Sequence, residues 1–304
     1  MKAVVTGGAG FIGSHIVEEL IKIGFQVHVI DNFSTGKQGY IHPLAIPYEM
    51  DICSNKAKEI ILKIKPDYLF HLAAQADVVR STLNPMEDAN INIMGTINLL
   101  EACKEASVKK FIFSSTSAVY GNITKNPISE EDPTLPLSYY GLSKLSAENY
   151  IKRYNHIFGL PYTILRYGNV YGPRQTAKGE GGVIAVFLDK IRNNEKLKIH
   201  GDGKQTRDYI YVKDVADANI AAIKNGDNNT FQICTGTSTS IMDLISILSE
   251  EHNDDLYYFH SSERIGDIKH SSISNRKAKK HLIWSPSYDI KQGIHETYNF
   301  SVNH

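Results

Sequence analysis

Scarce cysteine and balanced charge set the first limits on this chain of 304 residues. Its three cysteines, Cys53, Cys103 and Cys234, are odd in number and scattered. They form neither a disulfide framework nor a zinc-site spacing, and they suit a reducing cytoplasm. Lys plus Arg and Asp plus Glu both number 33, so no global field attracts nucleic acid or an anionic membrane. Twelve histidines include no His-Glu-x-x-His or Cys/His pattern, so no metal is expected. No apolar run approaches the ~18 residues that span a bilayer. The first residues read as a strand rather than as a charged leader with an apolar core. We expect a soluble, cytoplasmic protein.

What is present is an ordinary globular composition, 42% hydrophobic and 22% charged, with length enough for a large domain or two lobes. Short apolar runs at 2–6, 26–31, 68–72, 110–114 and 162–166 alternate with amphipathic stretches at 11–23, 57–64, 85–106 and 139–158. That alternation predicts βαβ units around a parallel sheet whose strands are buried on both faces, a Rossmann-type doubly wound α/β fold. After about Val170 the pattern loosens, and the Gly- and polar-rich segments 175–182 and 200–207 interrupt shorter elements. The long helices beginning near Pro85 and Tyr139 are candidates to pair across a two-fold axis, so we expect a homodimer.

Gly7, Gly10 and Gly13 follow the first strand directly, with Phe11 and Ile12 between the last two, and open a helix. A backbone without Cβ lets a pyrophosphate approach the N–H groups and partial positive charge of the helix start. The spacing differs from G-x-G-x-x-G, and a bare tight turn also fits the glycines. Asp31 argues against the turn alone. It ends the second strand about 20 residues after the loop, where a carboxylate binds a ribose hydroxyl and repels the extra phosphate of NADP. NAD is therefore the expected cofactor. Asp51 and Ile52 are candidates to flank the adenine, although Asp51 equally fits a helix cap. Leu72, Ala73, Ala74 and Gln75 close the next buried strand with little bulk, leaving room for a cofactor; alone, they read as core. We place an NAD-binding domain over 1–168. A smaller substrate lobe over 169–304 has freedom to return a strand or helix to it.

Tyr140 and Lys144 stand four apart, on one face of a predicted helix. A free tyrosine ionises near pH ~10. A lysine cation and a positively charged nicotinamide ring both favour the phenolate, and reaching pH 7 takes about 4 kcal/mol. Tyr-x-x-x-Lys alone arises by chance in many helices; behind a dinucleotide turn it points to a general base. Ser114, Ser115 and Thr116 end another strand, where a hydroxyl can join proton transfer or simply cap a turn.

With these residues assembled, the chain resembles the extended short-chain dehydrogenase/reductase family, in its UDP-glucose (UDP-galactose) 4-epimerase branch. The resemblance runs over nearly the whole chain. It rests on Thr6 through Gly13, Asp31 through Gly36, His71 through Ala74, Tyr140 with Lys144, Arg166 through Arg174, Gly201 through Tyr209, and Arg264 through Asp267. It implies that Thr116, four residues before the tyrosine of Val119-Tyr120-Gly121, acts with Tyr140 and Lys144 in catalysis. It also implies cofactor contacts at Asn32, Ser34, Thr35, Gly36, Asn92, Ser114 and Tyr167. Substrate contacts are implied at Asn169, Val183, Arg207, Arg264, Asp267 and Ser271. The arginines suit a diphosphate, which a planar guanidinium grips as a fork; taken singly, Arg207 with Asp208 or Arg264 with Asp267 also fit surface ion pairs.

The implied activity is NAD-dependent 4-epimerisation of a UDP-hexose through a transient 4-keto sugar. Ser117 and Ala118 stand where 4,6-dehydratases carry Asp-Glu, which argues against dehydration. Ser271 replaces a usual tyrosine, so UDP-N-acetylglucosamine is expected as a substrate beside UDP-glucose; a serine filling a solvent-facing turn is the alternative. Rival readings are a UDP-glucuronate or UDP-xylose 4-epimerase and a non-catalytic NAD sensor. No nucleic-acid or membrane partner is expected.

Overall fold

Strand β1 (Lys2–Thr6) sends Ala3 and Val5 into one layer of buried side chains and Val4 into the other. The computed structural model describes residues 1–304 except Thr124, Lys178, Glu180, residues 264–268, His270, Ser271 and His304. The first half continues with β2 (Gln26–Asp31), β3 (Ile46–Glu49), β4 (Tyr68–His71), β5 (Lys110–Thr116) and β6 (Tyr162–Tyr167). Beyond them come β7 (Asn169–Tyr171), β8 (Leu197–His200), β9 (Thr206–Arg207), β10 (Tyr209–Tyr211), β11 (Asn229–Ile233), β12 (Thr239–Ser240) and β13 (Tyr258–Ser261). Seven of these form one parallel sheet in the order β11-β6-β5-β4-β1-β2-β3. The reversal of strand order between β1 and β4 opens a crevice at the carboxyl ends of the strands, where ligands bind in such sheets.

The helices are α1 (Phe11–Lys22), α2 (Asn55–Ile64), α3 (Val78–Leu83), α4 (Pro85–Ala89), α5 (Gly95–Glu105) and α6 (Tyr139–Phe158), then α7 (Val183–Arg192), α8 (Val212–Lys224), α9 (Ile241–His252) and α10 (Ile290–Asn303). One face of the sheet packs Ile16, Val17 and Leu20 of α1 with Val215, Ala218 and Ala222 of α8. The other packs Ile61 of α2, Leu99 of α5 and Ile151 of α6 against Leu69, Phe111 and Ile164. Truncating a core phenylalanine such as Phe111 removes about 3–5 kcal/mol. A separate core joins Phe187 and Leu188 of α7 to Leu244 and Leu248 of α9 and to Tyr171 and Tyr211. No helix among the described residues is long and apolar enough to cross a membrane.

Several boundaries differ from the expectation. The run 85–106 is not one α-helix: a π-turn at Asn90–Met94 separates α4 from α5. Strand β5 extends to Thr116, two residues past the expected end, and carries that hydroxyl to the sheet edge. Helix α2 begins at Asn55 because the Ser54 hydroxyl accepts from Ala57 N at 3.3 Å. Strand β3 was not expected; its Pro47 lacks an N–H and is tolerated at the sheet's edge. Strand β11 and helix α8, both after residue 168, lie in and on the main sheet.

Candidate active site

The turn after β1 is tight because its glycines touch. A Cβ on Gly13 would stand 2.1 Å from the Gly7 carbonyl oxygen. Helix α1 starts at Phe11 behind the N-cap Gly10, without a side-chain cap and with no acid in its first turn. Its N-terminal N–H groups thus keep their partial positive charge for a ligand. Asp31 holds this turn from the next strand: its carboxylate accepts from Ala9 N at 3.0 Å and from Phe33 N at 2.9 Å. Asn32 donates to Asp51 at 3.1 Å, and Asp51 also accepts from Cys53 N at 2.8 Å.

A buried polar layer supports the floor. Thr96 donates to the Asn92 carbonyl at 2.6 Å, so it accepts from His71 Nε2 at 3.0 Å. His71 Nδ1 then accepts from the Thr6 hydroxyl at 2.8 Å. Burial, followed by the nearby charge of Lys144, holds His71 well below the usual histidine range, so it stays neutral. Asn92, in the π-turn, accepts from Gln75 N at 2.9 Å and donates to the Gln75 carbonyl at 2.8 Å and to Ser143 Oγ at 3.0 Å. This network ties the loop after β4 to α6.

Helix α6 is capped by Ser138, whose hydroxyl accepts from Gly141 N at 3.1 Å. A Cβ on Gly141 would meet the Ala118 carbonyl oxygen at 2.8 Å. The missing side chain lets the first turn of α6 lie directly on the turn that follows Thr116. Tyr140 and Lys144 leave the helix on this side; Lys144 is buried, its ammonium 4.3 Å from the centre of the Phe113 ring. Thr116 Oγ1 accepts from Ala118 N at 3.1 Å. On the far wall, Asn169 donates its backbone and side-chain N–H groups to the Asp208 carbonyl at 3.0 and 3.1 Å. Burial raises the Asp208 carboxyl to about 6 despite donors from Thr235 and Gly236.

All these elements border one cleft of about 910 Å³. Its lining brings together Gly7, Gly10, Phe11, Ile12, Gly13, Asp31, Asn32, Ser34, Thr35, Asp51, Ile52 and the loop Leu72–Gln75. Ser114, Thr116, Tyr140, Lys144, Tyr167, Asn169 and Arg207 line it as well. Three expected residues stand off it. Gly36 packs against Asp31 and Ala9, Asn92 is buried beneath Gln75, and Val183 begins α7 against the cluster that holds Phe187 and Leu188. Arg264, Asp267 and Ser271 lie outside the described residues. Lys37, Tyr40 and Arg174 also line the cleft, and none of them is among the expected contacts. The ammonium of Lys37 and the guanidinium of Arg174 lie 5.4 and 5.6 Å from the Tyr40 ring centre. Their signal is present in the sequence, since Lys37 directly follows the segment Asp31 through Gly36 and Arg174 ends the segment that begins at Arg166.

Known proteins share this sequence and fold over nearly their whole length. The chain is 42% identical to the UDP-glucose 4-epimerase of Thermotoga maritima, solved with UDP-glucose, with a TM-score of 0.96 over 99% of this chain and 98% of that one. It is 39% identical to the UDP-N-acetylglucosamine 4-epimerase of Methanobrevibacter ruminantium M1, solved with UDP-N-acetylmuramic acid, with a TM-score of 0.95 over 99% and 98% of the two chains. A UDP-glucose 4-epimerase of Mycolicibacterium smegmatis is 36% identical over 311 residues, covering 100% of this chain and 99% of the relative. The model of the NAD dependent epimerase/dehydratase family matches residues 3–234, and the chain belongs to that family.

Proposed function

We propose that this protein is an NAD-dependent UDP-sugar 4-epimerase acting on UDP-glucose and UDP-galactose. What supports the reading is one cleft bordered by the glycine turn, Asp31, Thr116, Tyr140 and Lys144. NAD fits this cleft: the turn has no room for a side chain at Gly13, and the uncapped start of α1 offers N–H groups to a pyrophosphate. Gly7, Gly10 and Gly13 would hold the pyrophosphate, Asp31 the adenosine ribose, and Lys144 the nicotinamide ribose. When bound, NAD supplies hydride acceptance from carbon 4 of the sugar and its return to the opposite face.

The chain's own part is proton handling and orientation. Tyr140, as phenolate, takes the proton from the 4-hydroxyl, and Thr116 hydrogen-bonds the same oxygen. Lys144 keeps Tyr140 acidic. Asn169 and Arg207 hold the sugar and the diphosphate, so the 4-keto sugar turns over within the site and receives its proton back from Tyr140. The expected division is a cofactor half over 1–168 and a sugar-nucleotide lobe over 169–304. We extend the substrate range to N-acetylated UDP-hexoses, which the M. ruminantium relative supports.

We also read the protein as a cytoplasmic homodimer. Three free cysteines and exposed Met86, Met94, Leu142 and Tyr150 on α4, the π-turn and α6 support this. The function is tested by Tyr140→Phe. Turnover of UDP-galactose is expected to fall at least about 10²-fold with NAD retained. Near-normal turnover would sink the assignment.

A further inference from the structure

Glu148 continues the face of α6 that carries Tyr140 and Lys144, one turn below the lysine, and it has no exposed surface. Its two oxygens accept the fork of Arg166, from Nε at 2.8 Å and Nη2 at 2.6 Å. One of them also accepts from the Ser115 hydroxyl at 2.6 Å, and the other lies 3.4 Å from Lys152. The remaining arm of Arg166 donates to the Tyr120 hydroxyl at 2.7 Å, and Gln232 donates to that hydroxyl at 3.0 Å. Ser115 precedes Thr116 on β5, and Arg166 pairs with Ser115 across β5 and β6. The ion pair therefore connects the helix of the base to the strand of its hydroxyl partner. Burial by itself raises the Glu148 carboxyl, and the guanidinium overrides this and holds it below the ordinary range.

We propose that Glu148, through Arg166 and Ser115, is a positioning residue that fixes Tyr140 and Lys144 relative to Thr116 during turnover. A buried ion pair is weak grounds for stability, because well-packed apolar side chains often replace one without loss. Its directed, bidentate geometry is what apolar packing does not supply. Small errors in such placement cost catalysis heavily: a shift of 1 Å can lower rate about 10²-fold. The inference rests on the epimerase reading, and the unaltered enzyme is assayed alongside so that the two fail separately.

The test is the variant Ser115→Ala/Glu148→Leu/Arg166→Met, which removes the network without leaving a buried charge. The expected result is a melting temperature and NAD content near those of the unaltered protein, KM for UDP-galactose within about threefold, and kcat reduced at least about tenfold. The acid limb of the kcat profile should also move upward, as Tyr140 loses its fixed relation to Lys144. A kcat within twofold of the unaltered enzyme would overturn the inference while leaving the epimerase reading intact. No turnover by the unaltered enzyme would overturn both. If the triple variant does not fold, Arg166→Lys keeps a cation and removes the fork. The same fall in kcat at constant KM is expected there, and an unchanged kcat would again overturn the inference.

Discussion

The ammonium of Lys144 stands 4.3 Å from the centre of the Phe113 ring, between α6 and β5. The cation is buried against the strand that ends in Thr116, where its field acts through little water. Replacing Lys144 by Met removes that field. We expect kcat to fall about 10²- to 10³-fold at neutral pH and to recover partly above pH ~9, because the Tyr140 phenol returns toward its ordinary value near ~10. A pH–rate profile of the variant checks this; an acid limb unmoved from the unaltered enzyme would contradict the role of Lys144.

Gly141 lets α6 lie on the turn after Thr116. In Gly141→Ala the new Cβ would stand 2.8 Å from the Ala118 carbonyl oxygen and 3.0 Å from Pro136 Cβ. Overpacking of this kind costs about 1–3 kcal/mol, offset by about 1 from alanine's better helix propensity. The expected outcome is a small loss of stability with a kcat reduced about tenfold or more, since the helix must move away from Thr116. Urea unfolding and initial rates measured on the same preparation separate the two effects.

Asp208 should make the fold pH-sensitive. Burial raises its carboxyl from an ordinary 3.8 to about 6, so the folded state binds a proton more tightly than the unfolded chain. The group's favourable contribution is full below pH about 4 and is lost as pH rises through 6, an effect of roughly 3 kcal/mol. The difference in unfolding free energy between the unaltered protein and Asp208→Asn is expected to change across that window. A difference constant from pH 4 to pH 6.5 would remove Asp208 as its source.

Much of the first half of the chain was legible because local rules and tertiary structure agree there. Glycine spacing marks the turn, Asp31 ends β2 where expected, and α6 runs over Tyr139–Phe158 as read. The π-turn at Asn90–Met94 left no trace, because one slipped hydrogen-bond register does not disturb apolar periodicity. Strand β3 was hidden by Pro47, whose presence is acceptable only at an edge that the sequence does not announce. The Glu148–Arg166 pair was invisible for another reason: a charged residue in a helix and one in a strand usually face water, and only the packing of α6 on β5 and β6 brings these two together.

Proton NMR of the purified protein mixed with UDP-galactose, and separately with UDP-N-acetylgalactosamine, without added NAD, measures 4-epimerisation itself. The 4-epimer of each is expected to appear with no accumulation of NADH, since hydride is returned within each turnover. Absence of any conversion of UDP-galactose, with NAD supplied as well, would contradict the epimerase reading.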